Sequence, residues 1–199
     1  MGRRLVIFAD GTGNAFSTQE SNIWRLYNAL DRSDPDQVAR YIRGVGTSGF
    51  RPFAMLDGAT GIGVPSNVRE LYRFLCWNWR EGDEIHMFGF SRGAFTIRTL
   101  VGLIHHEGLV PAQVDGRRVA SDEMARNTRA AWRSYRAKSF PAAWWQPQIR
   151  LVRGLRDAAA GAWNRLRHQP GYAAVAAETR SQGRDQVRIR YVGLFDSRP

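Results

Sequence analysis

Two spacings of apolar residues alternate along this chain. Short, nearly continuous apolar runs stand at 4–9 (RLVIFA), at VARYIRGVG from Val38, at EIHMFGF from Glu84 and at QVRIRYVGLFD from Gln186. Runs of this length between turn residues predict strands buried on both faces. Helical stripes separate them. Ile23, Leu26, Tyr27 and Leu30 share one face of a helix that Ser21 or Asn22 can cap. SNVRELYRFLCWNW, residues 66–79, predicts a second amphipathic helix with Asn67 and Glu70 as its capping pair, and a third helix starts at Ala94. Residues 50–65 predict a loop. From about 117 to 183 the pattern is helical, rich in Arg and Ala, and broken at Pro141, Pro147 and Pro170. Strands alternating with helices predict an α/β fold, a parallel sheet covered on both faces. No internal repeat interrupts it.

The third run carries the chemistry. Apolar residues lead up to Phe90, G-F-S-R-G follows, and a helical pattern resumes at once. Strand, sharp turn and helix in that order form a nucleophile elbow, which lifts a serine hydroxyl clear of the sheet edge. Gly89 and Gly93 flank Ser91 where a side chain would strike the neighbouring strand or helix. A turn serine without chemistry is the alternative. Serine attack on an acyl carbon also needs a base, an orienting acid and donors for the developing oxyanion. On a sheet of this kind the partners follow in the order Ser, Asp or Glu, then His. Asp196 stands at the end of the last strand and fits the second place; a capping or turn aspartate is the other reading of it. The oxyanion donors would be the Arg92 N–H and one from the loop after the first strand, where Asp10, Gly11 and Thr12 begin a glycine-rich turn. Asp10 itself reads as a carboxylate bracing that loop.

Composition narrows the classes. The chain has 199 residues, enough for one domain with a real core. Its single cysteine, Cys76, cannot close an internal disulfide and lies in an apolar helical pattern, which fits a reducing compartment. After Arg3 and Arg4 the apolar run is too short for a signal-peptide core or a spanning helix, and Val6 stands where a myristoylation signal needs Ser or Thr. Synthesis in the cytoplasm is expected. The net charge of +11 is uneven. Residues 1–116 hold 12 basic and 12 acidic residues, whereas 117–190 hold 16 basic and 5 acidic, a difference of 11 that accounts for the whole excess.

FADGTGN, YIRGVGTSG, GATGIGVPSNVRELYRFLCWNW, GDEIHMFGFSRGAFTIRTLVGLI and YVGLFD, taken in order, resemble the motifs of an uncharacterised α/β-hydrolase family that includes the catalytic domains of type VI secretion phospholipase effectors. The resemblance covers about residues 3–110 and 187–196. It implies an α/β-hydrolase-like fold, read as a single domain over 1–199, in which the charge shift near residue 116 and the helical pattern mark 117–183 as a basic helical cap insertion. It also implies a Ser-Asp-His hydrolase acting on lipid or other carboxylic esters, with Ser91 as nucleophile, Asp196 as triad acid and the Asp10–Thr12 loop at the site entrance. A lipid or other ester substrate, an anionic membrane surface, a secretion-system partner and export by the type VI route are the corresponding expectations.

Two departures stand out. The family continues past the acid, whereas here Ser197, Arg198 and Pro199 follow, so the domain is expected to be incomplete at its C-terminus. No histidine follows Asp196. His86 lies inside the elbow strand, His105 and His106 lie about 20 Å along the helix from Ser91, and His168 sits in the basic segment. None has the place in the order that a triad base needs. The rival reading is therefore an inactive fragment or pseudo-enzyme that binds membrane or an acidic partner.

Other motifs fall away. GVGTSG at 44–49 has dinucleotide spacing, but Pro52 blocks the helix that must follow. GATGIG lacks the lysine of a phosphate loop, and no spacing suits zinc or calcium, so no cofactor or metal is expected. In the basic segment Trp132, Trp144, Trp145 and Trp163 interleave with arginines. That suits an anionic membrane interface or a lid over a lipid site, or a helical cap with a solvated arginine face and inward tryptophans. Nucleic acid would also be drawn to such charge, but beside hydrolase motifs it is not expected.

Overall fold

The computed structural model describes residues 2–11, 21–44, 63–139, 154, 158, 162 and 171–195. The chain enters on β1 (Arg4–Ala9) and α1 (Asn22–Asn28), and continues through β2 (Gln37–Ile42), α2 (Gly63–Asn78), β3 (Glu84–Phe90) and α3 (Arg92–Glu107). A small hairpin of β4 (Gln113–Val114) and β5 (Arg117–Arg118) precedes α4 (Ser121–Ser139), and α5 (Tyr172–Ser181) leads to β6 (Ile189–Phe195). The long strands form one parallel sheet in the order β2-β1-β3-β6. This is the α/β architecture that the alternation of spacings predicts.

β1 lies between β2 and β3, which is why RLVIFA carries no polar alternation. Leu5 and Ile7, with Ile85 and Met87 of β3, face Leu71 and Leu75 of α2 and Ile97 and Leu100 of α3. Val6 and Phe8 face the other way, against Ile23 and Tyr27 of α1 and Phe88 of β3. The rings of Phe8 and Phe88 stack at 5.2 Å. Helices thus cover both faces, α1 on one and α2 with α3 on the other.

Ser21 caps α1 as expected, its Oγ accepting from the Trp24 N–H at 3.0 Å. The expected capping pair of α2 is not one. The helix starts at Gly63, ahead of Asn67, because Pro65 falls in its first turn, where a missing N–H costs no hydrogen bond. Asn67 instead donates to the Arg43 carbonyl at 3.2 Å, and Glu70 pairs with Arg40.

α4 belongs to the same core as α2 and α3. Met124, Ala131, Trp132 and Tyr135 are buried in it, while Arg129 and Lys138 face outward. Trp132 therefore packs inward; Trp144, Trp145 and Trp163 lie outside the described residues. Asp122 and Glu123 in the first turn of α4, and Arg136 and Lys138 in its last, complement the helix dipole. Part of the charge in this basic segment is thus helix chemistry.

Cys76 is fully buried on the inner face of α2, and burial pushes its thiol up to about 12. The folded protein holds that proton more tightly than an ordinary thiol near 9.0. This contribution to stability is intact below about pH 9 and is lost as pH rises toward 12. Native protein at pH 8 is expected to resist iodoacetamide, with full alkylation in guanidinium chloride. Stoichiometric alkylation of the native state would show that the inner face of α2 opens.

Candidate active site

Ser91 is the residue between β3 and α3, and its backbone stands at φ 52°, ψ −119°. Such a conformation costs a non-glycine residue on the order of 1–3 kcal/mol and persists only where the surroundings enforce it. The enforcing contacts are visible. The Ser91 N–H donates to the Phe195 carbonyl of β6 at 3.0 Å, and the Ser91 carbonyl accepts from the Phe95 N–H at 3.3 Å. Its side chain makes no hydrogen bond to the helix end that it precedes. Ser91 thus precedes α3 without acting as its side-chain cap.

The flanking glycines are explained by distance. A Cβ on Gly93 would fall 2.0 Å from the Ala9 carbonyl oxygen, so the first turn of α3 is pressed against the end of β1. A Cβ on Gly89 would fall 2.8 Å from Ala94 Cα. Gly11, on the other side of the site, comes equally close: its Cβ would lie 2.8 Å from Phe90 Cδ1 and 3.3 Å from Ser91 Cβ. The loop after β1 and the turn after β3 therefore share one small space.

Topology explains why that space exists. From β1 the chain moves to β2 on one side, and from β3 it moves to β6 on the other. Adjacent strands whose connections diverge leave a crevice at their carboxyl ends, where open α/β sheets bind ligands. Ser91 and the Asp10–Gly11 loop lie at that switch point. As the first helical residue, Arg92 has an N–H with no intrahelical acceptor, and the dipole of α3 favours negative charge there.

Asp10 is buried, and its carboxylate accepts three hydrogen bonds among the described residues. It accepts from the Gly11 N–H at 2.7 Å, from the Tyr41 hydroxyl at 2.7 Å and from the Ser21 hydroxyl. Burial, and then the bond to Asp10, drive the Tyr41 phenol well above its ordinary range. With these bonds Asp10 ties the loop after β1 to the start of α1 and the end of β2. The Gly11 N–H is already donated within this brace. Tyr41 is the member that sequence reasoning missed. The signal was its place one residue before the end of β2, beside the end of β1.

The remaining sequence-derived residues divide clearly. Thr12, Asp196 and His168 lie outside the described residues. His86 pairs in register with Val6 and Tyr191, five residues before Ser91, or roughly 16 Å along the strand. Its Nε2 is buried without a hydrogen bond and lies 3.7 Å from a Glu84 carboxylate oxygen. His105 and His106 are exposed at the far end of α3, where His106 lies 5.6 Å from the Tyr135 ring. No described histidine reaches Ser91. Two exposed aromatic rings lie near the serine, Phe95 at 54% and Phe195 at 40%, beside the exposed Arg92. Among the described residues no group of three or more His, Cys, Asp and Glu could hold a metal ion, and no helix is long and apolar enough to cross a membrane.

Comparison with known proteins places the sequence in one family. The uncharacterized protein YEL023C of Saccharomyces cerevisiae is 28% identical over 211 residues, covering 98% of this chain and 26% of its own length. The chain thus spans about a quarter of that curated relative. No solved structure matches it. The family model described as T6SS, phospholipase effector Tle1-like, catalytic domain, matches residues 3–197, and the chain belongs to that family.

Proposed function

We propose that this chain carries the nucleophile half of a serine hydrolase site that cleaves carboxylic esters of lipids, in the manner of a phospholipase. The observation that carries the reading is Ser91, held at positive φ between β3 and α3 with its hydroxyl unused by the helix it precedes. Ser91 Oγ attacks the acyl carbon and a histidine base takes its proton. The oxyanion collects at the Arg92 N–H and at an N–H of the loop after β1. Because the Gly11 N–H is spent on Asp10, the loop donor would come from a residue after it, with Thr12 next in the chain. Asp196 orients the base. It directly follows Phe195, whose carbonyl is hydrogen-bonded to Ser91. The base lies outside the described residues, and the order of the triad calls for it after Asp196. The exposed rings of Phe95 and Phe195 suit an acyl chain better than a polar substrate. Of the basic segment, α4 packs over α2 and α3 as part of the helical cover, and an anionic membrane and a secretion-system partner are the associations that fit the family.

One observation favours a second reading: no described histidine reaches the serine. On that reading the chain binds a membrane or an acidic partner through its arginine-rich segment and does no chemistry.

A fluorophosphonate probe and phosphatidylcholine vesicles separate the two. The 199 residues alone are expected to label slowly and to hydrolyse lipid barely above background. A form that supplies a histidine after Asp196 is expected to do both, with labelling confined to Ser91. If such a form stays unlabelled, or labels equally as Ser91→Ala, the binding reading stands instead.

A further inference from the structure

A second polar cleft lies away from Ser91, between α2 and α4. It encloses about 290 Å³ and is lined by Arg69, Glu70 and Arg73 of α2, Thr128 and Arg129 of α4, and Ser66. It includes no residue of the β1 loop or of the turn after β3. Arg69 and Arg73 stand four residues apart, so both guanidinium groups project from one face of α2. Arg129 comes from the helix packed across them. Like charges at this spacing repel. Burial, then Arg129 and Arg73, pull Arg69 below the usual arginine range, a sign that the three cations feel one another. Glu70 also lines the cleft, but it is paired with Arg40. Among the described residues the lining holds three arginines and one carboxylate.

We propose that this cleft is a binding site for a phosphoryl anion, either a free phosphate compound or the phosphate of a lipid headgroup. A carboxylate offers two oxygens and is filled by one guanidinium fork, whereas a phosphoryl group offers three or four and accepts from several arginines at once. Three arginines converging from two helices match the second case. The hydroxyl-bearing Ser66 and Thr128 add polar lining, and the volume leaves room for the group to which the phosphate is attached.

The test uses the full chain and two double variants that lose equal charge. Arg73→Gln with Arg129→Gln removes two exposed arginines of the cleft. Arg25→Gln with Arg188→Gln removes two exposed arginines elsewhere. Inorganic phosphate and pyrophosphate are titrated calorimetrically at constant ionic strength, and thermal unfolding is followed with each. The wild type and the control variant are expected to bind alike and to melt higher with the anion. The cleft variant should bind about tenfold more weakly or worse and lose the shift. Cosedimentation with phosphatidic acid and with phosphatidylcholine vesicles then identifies the source. Loss of phosphatidic acid binding in the cleft variant alone assigns a lipid phosphate. Vesicle binding unchanged by that variant assigns a free phosphoryl compound. If the wild type binds no phosphate, or both double variants weaken binding equally, the cleft is not a site and diffuse charge accounts for the effect. The result does not depend on what Ser91 does, because the two places share no residue.

Discussion

Ser91→Gly is expected to lose activity and gain stability at once. In a form with a complete triad, removing the hydroxyl eliminates the attacking atom, and turnover should fall by about 10⁴ to 10⁶. Fluorophosphonate labelling should vanish with it. Stability should move the other way. Ser91 sits at φ 52°, ψ −119°, a conformation unfavourable for a residue with a Cβ and open to glycine. Relief of that strain, less the extra freedom of glycine in the unfolded chain, should raise unfolding stability by about 1 kcal/mol. Ser91→Ala keeps the Cβ, so it should lose activity without the gain. The pair of variants separates two roles that a single substitution confounds. A serine that merely fills a turn would show the same stability difference but no loss of turnover. A serine that caps α3 would be destabilised by both changes. Chemical denaturation beside a phospholipid hydrolysis assay gives both readouts.

Much of the sheet was legible because its signals are local. RLVIFA is apolar without alternation, and it proves to be an interior strand buried on both faces. G-F-S-R-G between a strand and a helix could be read as an elbow because each glycine answers a steric demand within a few residues. What escaped depends on contacts between distant residues. The bond from Tyr41 to Asp10 spans 31 positions and exists only because β2 pairs with β1 in one register. Arg129 completes the α2 cleft only through the packing of α4, which no periodicity reports. The start of α2 was misread for a different reason: Pro65 and the glycines before it suggest a loop, yet the first turn of a helix tolerates proline. Asp115-Gly116 is a hairpin turn signal, and both residues take positive φ, but the strands beside it have two residues each and show no alternation. The site was therefore half legible. The turn that carries Ser91 is written locally, whereas the brace of the loop facing it is written in the sheet.

Arg184 shows the same limit in the core and carries the largest stability effect expected of a single charged side chain here. In sequence it is one more arginine of the basic stretch 117–190. In the fold it is 7% exposed and serves as a clamp. Nε donates to the Leu109 carbonyl at 2.9 Å, one guanidinium nitrogen to the Trp79 carbonyl at 3.1 Å and the other to the Cys76 carbonyl at 2.8 Å. Cys76 lies in the last turn of α2 and Trp79 just beyond it, where helix carbonyls have no intrahelical partner and favour a cation. The guanidinium carbon also lies 5.1 Å from the Trp79 ring centre. Backbone bonds complete the junction: the Arg184 carbonyl accepts from the Leu109 N–H at 2.8 Å, and its N–H donates to Thr179 at 2.9 Å. One side chain thus joins the end of α2, the turn after α3 and the approach to β6. Burial pulls its pKa below the ordinary arginine range. Replacing it with methionine keeps much of the volume but strands three carbonyls, each costing about 1–3 kcal/mol when left unpaired. The expected loss is about 3–5 kcal/mol, a large part of the stability of a typical domain. Arg184→Lys keeps the charge but not the planar fork and should recover part of it. Equilibrium denaturation in urea measures both. A loss below about 1 kcal/mol for Arg184→Met would mean that water reaches those carbonyls and that the clamp is not what joins the three elements.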